Sequence, residues 1–286
     1  MGERIFAALQ QFLPQHLLSR VVHRLTRLRA GPLTRLAIRA FVRGFDVDLG
    51  DAAEPDARRY ATFNAFFTRA LRPDARPLAP QTDALLCPVD GAISQLGPLE
   101  DGRLVQAKGQ TFQLAELLGG DTTLAAGFQR GAFATLYLSP RDYHRIHMPV
   151  DGTLAETIHV PGRLFSVNAA TAAWIPRLYA RNERVVCLFD STAGPVAVVL
   201  VGAIFVGSIE TVWGGELTPP RGRVLRRLLP PRPAPTLARG AELGRFNMGS
   251  TVILLLPAGA VEWRPDLVPG RAVRVGEALG RIGAGR

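Results

Sequence analysis

The chain has 286 residues, of which 47% are hydrophobic, and a formal net charge of +10. This length and composition predict one large domain, or a domain with an appendage, and exclude a wholly disordered chain. Two cysteines, Cys87 and Cys187, argue against a disulfide scaffold and favour a reduced, cytosolic location. The basic charge is typical of proteins that bind nucleic acid, anionic lipid or acidic substrates.

Residues 4–45 are predicted to form amphipathic helices, which Gly31-Pro32 divides. Apolar residues recur at helical spacing, and arginines recur among them between Arg20 and Arg43. A helix with an arginine face and a Leu/Phe face suits the surface of an anionic bilayer. The alternative is a helical hairpin that packs its apolar face on the protein's own core. The longest apolar run, residues 196–207, is shorter than the ~20 residues of a spanning helix and predicts a buried strand.

The middle and end of the chain predict an α+β fold with a mostly β core. Residues 61–78 indicate a short helix followed by an extended segment, and residues 218–235, rich in proline and arginine, indicate a loop or linker. From about residue 85, short β-rich runs alternate with Gly, Pro and Asp turns. These runs are residues 132–138, 150–160, 184–190, 196–210, 251–256 and 271–282.

Three segments supply the components of a serine-based catalytic site. Gly249-Ser250-Thr251 opens an apolar run, Asp90 lies in CPVDGAI, and His147 lies in SPRDYHRIHMPVDG. A serine hydroxyl is a weak nucleophile until a base takes its proton. Such triads are defined by geometry rather than by chain order, so these residue types alone do not establish one.

The glycine before Ser250 suggests what such a serine could attack. Glycine has no side chain, so its carbonyl can be approached closely. Attack of Ser250 on the Gly249 carbonyl would turn the peptide into an ester. Loss of the Ser250 α-proton would then eliminate the ester and leave dehydroalanine, which hydrolyses to a pyruvoyl group. The cut would give chains 1–249 and 250–286.

Together these segments resemble the phosphatidylserine decarboxylase family, in its bacterial and mitochondrial branch. YHRIHMP and the Gly-Ser-Thr site carry most of the resemblance, which extends along essentially the whole chain. One departure is Met248, where the branch commonly has leucine. The other similar segments are ATFNAFFTRALRPDARPL, CPVDGAI, KGQTFQLAELLGG, LFSVN, RNERVV, VGAIFVGSI and GAELGRFNMGST.

The resemblance implies a role for each site residue. Ser250 would be the nucleophile of self-cleavage at Gly249-Ser250 and then the covalent pyruvoyl group, with no metal. His147 would be the activating base and Asp90 would orient it. His144 would handle the proton at the substrate carbon during decarboxylation. Ser166 would supply a supporting hydrogen bond.

The resemblance also implies a substrate, a location and a division of the chain. The pyruvoyl ketone would form a Schiff base with phosphatidylserine and release CO2 and phosphatidylethanolamine. Residues 1–60 would be a helical membrane-associating segment and residues 61–286 a β-rich catalytic domain, cut into a β chain (1–249) and an α chain (250–286). The expected partners are phosphatidylserine, the anionic cytoplasmic face of the cell membrane and the companion chain. A homodimer is among the expected assemblies, and nucleic acid is not an expected partner.

Two other functions remain open from the residues alone. His144, His147 and Asp90 could form a zinc site, since two histidines and one carboxylate are a known catalytic ligand set. That hydrolase would carry metal and keep an intact chain. The basic charge could instead indicate a non-enzymatic module that binds lipid or nucleic acid, although no nucleic-acid-binding motif is recognisable.

Overall fold

The computed structural model describes residues 2–205, 208–218, 224–248 and 250–283. It confirms the predicted α+β class, with helices concentrated at the N-terminus and a β core after them. The helices are α1 Gly2–Leu9, α2 Gln15–Leu25, α3 Pro32–Phe45, α4 Phe63–Phe67, α5 Leu114–Leu117, α6 Thr122–Ala126, α7 Ala169–Trp174 and α8 Leu178–Arg181, with a 3-10 turn at Ala57–Arg59.

Short strands account for most of the remaining regular structure. They are β1 Ala84–Leu86, β2 Gly91–Pro98, β3 Arg103–Ala107, β4 Gln110–Gln113, β5 Ala132–Leu138, β6 Arg145–His147, β7 Gly152–Val160, β8 Arg184–Ser191, β9 Gly194–Val201, β10 Ile209–Thr211, β11 Gly215–Glu216, β12 Arg226–Leu228, β13 Thr236–Leu237, β14 Glu242–Phe246, β15 Ser250–Leu256, β16 Val261–Trp263, β17 Ala272–Val273 and β18 Ala278–Ile282.

The strands form antiparallel sheets, and the largest sheet contains nine strands of the described chain. Its order is β12-β7-β8-β9-β15-β5-β2-β17, with β13 also paired to β7. A second sheet has the order β11-β10-β14-β6, a third has the order β1-β18-β16, and β3 pairs with β4. Each pairing of these strands is antiparallel; β7, β8 and β9 follow one another along the chain, whereas β15 enters between β9 and β5 from a distant part of the sequence.

Strand β15 lies inside the largest sheet, between β9 and β5. Its sequence, Ser-Thr-Val-Ile-Leu-Leu-Leu, has no apolar/polar alternation, and every residue of the strand is buried. A short continuous apolar run of this kind is typical of a strand covered on both faces. The start of this strand is therefore held rigidly in the core, and that start is Ser250.

Uncharged polar side chains are among the contacts that attach the N-terminal segment to the body. Gln10, Gln15 and Ser19 are buried, whereas Phe12 is 86% exposed. The Gln15 side chain accepts a hydrogen bond from Leu164 N at 2.9 Å. Apolar residues left exposed along these helices include Ile5, Phe6, Leu9, Leu13, Leu17, Val21, Leu25, Leu28, Leu33, Leu36 and Phe45. Helix α2 therefore turns a polar face inward and leaves Leu17, Val21 and Leu25 exposed, the reverse of the usual arrangement, whereas α1 buries Ala7.

Helix α3 makes a conventional contact in addition. Ile38 is buried in a small cluster with Val47, Phe66 and Phe67, and Met248 packs against the same cluster. One side of α3 therefore packs against the protein's own residues. Among the described helices, none combines the length and apolar content needed to cross a membrane.

The segment 218–235 differs in part from the predicted loop. Residues 226–228 form β12, which pairs with β7 through Arg226–His159 and Leu228–Thr157. Strand β7 has free backbone groups at this edge of the sheet, and a short partner strand satisfies them. Residues 219–223 of this segment lie outside the described residues.

Candidate active site

Ser250 combines deep burial with an unpartnered hydroxyl. Its exposed fraction is 1%, and its backbone pairs with Leu138 of β5. Its Oγ has no hydrogen-bond partner among the described residues. An unsatisfied buried polar group costs about 1–3 kcal/mol. Packing alone would favour alanine here, so the hydroxyl needs another explanation.

Ser250 lines a cavity of about 480 Å³ with largely apolar walls. Within the described part of the chain, no charged residue lines it. The N-terminal segment contributes the side chains of Phe6, Gln10, Leu13, Phe41 and Phe45 to the wall. The rest of the wall comes from the body of the protein, through Phe67, Tyr137, Leu138, Pro140, Ser166, Val167, Asn168, Ala203, Ile204, Phe205 and Met248. The predicted supporting residue Ser166 and the predicted nucleophile therefore share one cavity.

His144 lies behind the wall of this cavity. Its ring stacks on Phe67, with ring centroids 4.0 Å apart and an interplanar angle of 17°. Its Nε2 is 3.5 Å from the Pro140 carbonyl oxygen, and its Nδ1 has no partner among the described residues. Burial lowers the pKa of His144 to about 3, and the nearby Arg69 guanidinium acts in the same direction. The ring is therefore neutral at pH 7.

His147 has partners at both ring nitrogens. Nδ1 is 2.7 Å from the Gly240 carbonyl oxygen, and Nε2 is 3.0 Å from the Tyr143 hydroxyl. Because a carbonyl oxygen can only accept, Nδ1 carries the proton, and in the neutral ring Nε2 accepts from Tyr143. Burial lowers the pKa of His147, although the Gly240 hydrogen bond opposes it. The basic nitrogen of His147 is thus covered by the Tyr143 hydroxyl.

Asp90 is bound to an arginine rather than to His147. Both carboxylate oxygens accept from Arg76 Nε at 3.0 Å, and Oδ1 also accepts from Val275 N at 2.9 Å. Asp90 was expected to accept the hydrogen bond from His147 Nδ1, but the Gly240 carbonyl oxygen accepts it instead. The structure therefore does not join Asp90 and His147 by a hydrogen bond. The glycine after Asp90 is required, because a Cβ at Gly91 would lie 2.2 Å from the Tyr137 carbonyl oxygen.

The chain leading to Ser250 is fixed at Asn247. Asn247 N donates to the Ser208 carbonyl oxygen at 3.0 Å, and Asn247 Nδ2 donates to Ser208 Oγ at 2.8 Å. Asn64 Nδ2 of α4 donates to Asn247 Oδ1 at 3.0 Å. Ser208 Oγ in turn donates to Glu216. Gly249, the predicted site of attack, lies outside the described residues.

The two histidines and Asp90 do not form a metal centre in this arrangement. The Asp90 carboxylate is committed to Arg76, and His147 is committed to Tyr143 and Gly240. Across the part of the chain that the structure describes, no group of three metal-ligating side chains has a suitable geometry. A covalent carbonyl group made from Ser250 fits better, since Ser250 opens an apolar cavity and has an orphaned Oγ.

Sequence reasoning missed several residues of this site. Tyr143 stands in the YHRIHMP segment, directly before His144, and its place in that segment is the signal that could have identified it. The Gly240 carbonyl and the Phe67 ring leave no recognisable signal, because their roles depend on the folded position of the backbone or of an ordinary core residue. Gln10 reads as one polar residue on an amphipathic helix.

Comparison with known proteins identifies the family. Residues 63–281 match the family model described as phosphatidylserine decarboxylase, and residues 5–46 match a second model described as PSD. A phosphatidylserine decarboxylase proenzyme of Azotobacter vinelandii is 56% identical over 98% of this chain and 99% of its own length. Proteins with the same name are 54% identical in Methylococcus capsulatus, over 97% and 96% of the two chains, and 58% identical in Alkalilimnicola ehrlichii, over 88% of each. The chain belongs to the phosphatidylserine decarboxylase family.

Proposed function

We propose that this chain is a zymogen that cuts itself at Gly249-Ser250 and then decarboxylates phosphatidylserine to phosphatidylethanolamine. The observation that carries the proposal is the buried Ser250 hydroxyl, which has no hydrogen-bond partner among the described residues and lies at a cavity whose described walls hold no charged residue. Family membership and the proenzyme names of the relatives support the same activity.

In the first reaction Ser250 Oγ attacks the carbonyl carbon of Gly249. The hydroxyl proton passes to a base, and the amide nitrogen becomes the free amine of Ser250 as the ester forms. Loss of the Ser250 α-proton expels the Gly249 carboxylate and leaves dehydroalanine. Water then replaces the nitrogen, which leaves as ammonia, and the new chain begins with a pyruvoyl group.

We assign the base to His147 and its orientation to Asp90. Burial keeps the His147 ring neutral, as a base requires, and its Nε2 is the unprotonated nitrogen. For this role Nε2 must exchange the Tyr143 hydroxyl for the serine hydroxyl, directly or through Tyr143. Asp90 must likewise give up hydrogen bonds to Arg76 before it can reach Nδ1. Processing is therefore proposed to include a local rearrangement around Tyr143 and Arg76.

In the second reaction the cavity supplies an environment that favours loss of CO2. The pyruvoyl group supplies a carbonyl that accepts the electrons released with CO2. The described walls hold no cation that could stabilise the substrate carboxylate, and the phenylalanine side chains exclude water. In this apolar cavity the localised negative charge of the substrate carboxylate is less stable than the delocalised charge that forms as CO2 leaves. His144, neutral and next to Phe67, is proposed to handle the proton added to the substrate carbon.

The N-terminal helices are proposed to hold the enzyme against the cytoplasmic face of the cell membrane. Their exposed surface carries many large apolar side chains, and Phe6, Leu13, Phe41 and Phe45 also line the cavity that contains Ser250. The arginines of this segment favour an anionic leaflet, and the two cysteines are free, as in a reducing compartment. A lipid could then enter the cavity from the bilayer without crossing water.

A denaturing intact-mass spectrum tests the proposal directly. The purified protein should give two masses, for residues 1–249 and 250–286, the smaller lighter than its serine-ended form by one ammonia. Ser250→Ala should give a single full-length mass and no CO2 release, because it has no nucleophile.

His147→Ala should also remain uncut, whereas His144→Ala should be cut but decarboxylate poorly. Cleavage of Ser250→Ala at the normal rate would refute the assignment, and a block in His144→Ala as complete as in His147→Ala would refute the division between the histidines.

A further inference from the structure

Gln10 brings an unused hydrogen-bond donor to the cavity. Its side chain is 3% exposed, and its Oε1 accepts from Ser166 N at 2.8 Å. Because a backbone N–H can only donate, the contacting atom must be the amide oxygen, and the remaining atom is the NH2 group. That Nε2 is buried and has no partner in the described part of the chain.

The cavity makes this donor unusual. Gln10 lines it together with Ser166 and Ser250, and the described walls contain no charged side chain. A buried donor without an acceptor destabilises the protein, whereas a ligand that supplies the acceptor recovers that free energy on binding. The cavity thus holds two orphaned polar groups, one at the proposed reactive residue and one at Gln10.

We propose that Gln10 Nε2 donates a hydrogen bond to a phosphodiester oxygen of the bound substrate, an inference that rests on the proposed function. In phosphatidylserine only a CH2–O link separates the phosphorus from the carbon that loses CO2, so both groups reach the same cavity. A donor on the carboxylate would stabilise the charge that must be lost and would slow the reaction. A donor on the phosphodiester binds a group whose charge stays the same throughout the reaction, so it holds the substrate without slowing the loss of CO2. The α1–α2 turn thereby becomes part of the substrate site.

The binding of short-chain lipids to the uncut Ser250→Ala protein tests this without any turnover. Calorimetric titration with short-chain phosphatidylserine and with short-chain phosphatidylethanolamine measures affinity for a ligand with the carboxylate and for one without it. Gln10→Leu should weaken both by a similar factor, roughly 10- to 100-fold, as for a lost hydrogen bond to a charged group. Gln10→Glu keeps the acceptor for Ser166 N but replaces the donor with a carboxylate, which when ionised also repels the phosphodiester, so it should bind at least as poorly.

Gln15→Leu is the matched control. Gln15 is equally buried, but both ends of its amide are used, by Leu164 N and by the Gln10 carbonyl oxygen. Its loss should lower stability and leave affinity close to that of the parent. Equal losses in the Gln10 and Gln15 variants would overturn the inference, since both would act only by holding the turn. Weaker binding of phosphatidylserine alone would overturn the phosphodiester assignment. If neither lipid bound the parent and the unmutated protein stayed uncut, the proposed function itself would fail.

Discussion

The surroundings of His144 have a consequence for stability that is separate from catalysis. Its ring is fully buried against Phe67, and its pKa is lowered to about 3 from an ordinary value of 6.5. Above pH 6.5 the ring is neutral in both the folded and the unfolded chain. Below that pH the unfolded chain binds a proton that the folded chain does not bind. The contribution to stability is therefore complete above the unfolded pKa and is lost as the pH falls.

We expect this loss to be measurable by urea unfolding of the uncut Ser250→Ala protein. Between pH 7.5 and pH 5, His144 should account for a fall of about 2 kcal/mol in the free energy of unfolding. The double variant Ser250→Ala/His144→Phe keeps an aromatic ring stacked on Phe67, but this ring binds no proton. Its free energy of unfolding should therefore fall by about 2 kcal/mol less over the same pH range. His147 also has a lowered pKa, but it contributes equally to both proteins. Parallel pH dependences would show that His144 is not buried as a neutral ring.

At the scale of elements, Arg76 links Asp90 to the segment that precedes the sheet. Arg76 pairs with Asp90 and also with Asp51, at 2.7 Å from Nη1 to Oδ2, and these carboxylates raise the pKa of Arg76. Both Arg76 and Asp90 are largely buried. Asp90 therefore has two separable functions, a structural pair with Arg76 and the proposed orientation of His147.

Two substitutions should separate these functions. Arg76→Met leaves an unpaired buried carboxylate and should cost about 3 kcal/mol of stability. It should not abolish self-cleavage of the folded fraction, because Asp90 is then free for His147. Asp90→Asn should abolish cleavage, because an amide cannot stabilise the imidazolium. Cleavage is measured as a time course after cell-free synthesis, normalised to folded protein.

Arg72→Met is the control for the arginine substitution. Arg72 lies near Asp51 and Asp74, but its side chain is 52% exposed and its closest ion-pair distances are 3.7 and 3.8 Å. Surface pairs of this kind contribute little, so neither stability nor cleavage should change appreciably. If Arg76→Met blocked cleavage as fully as Asp90→Asn, the role of Asp90 would be structural and its orientation of His147 would have to be abandoned.

The sequence predicted the elements that carry strong local patterns. Residues 132–138 form β5 as expected, and the apolar runs near 184–190 and 251–256 form β8 and β15 with small shifts at their ends. The break at Gly31-Pro32 appears where predicted, with Pro32 in the first turn of α3. Continuous apolar runs and glycine-proline breaks act locally, so sequence alone is enough to find them.

The partners within the site were less predictable. The residue types near Ser250 were identified, but the choice of Gly240 over Asp90 as the His147 acceptor depends on the packing of β6 beside β14. The inward polar face of α2 was not predicted for a similar reason. Periodicity shows that a helix has two faces, but not which face meets the protein.

At the scale of the whole molecule, the exposed apolar side chains of the N-terminal segment and the position of the cavity point to a single docking face. Phe6, Leu13 and Phe45 are among the exposed apolar residues of the N-terminal segment and also line the cavity. A soluble surface rarely leaves so many large apolar side chains exposed together, so this face is expected to be covered. The net charge of +10 adds a screened attraction to anionic lipid.

Phe12→Asp tests this docking face, since Phe12 is 86% exposed and does not line the cavity. Phe12 would be buried in the bilayer when the protein binds, so removing it should weaken binding to phosphatidylserine-containing liposomes by roughly 10-fold or more. Self-cleavage should proceed normally, because Phe12 is exposed and is not among the residues that line the cavity. Liposome sedimentation at low and high salt measures the apolar and the charge contributions separately.

Leu229→Asp is the matched control, because Leu229 is 82% exposed but lies far along the chain from the helices, just after the edge strand β12. Both substitutions add the same charge and remove one exposed apolar side chain. If the helices form the docking face, only Phe12→Asp reduces binding at high salt, where charge repulsion is screened. Equal reductions at high salt would assign no special role to the N-terminal face, and the exposed helices would then require a protein partner instead of a bilayer.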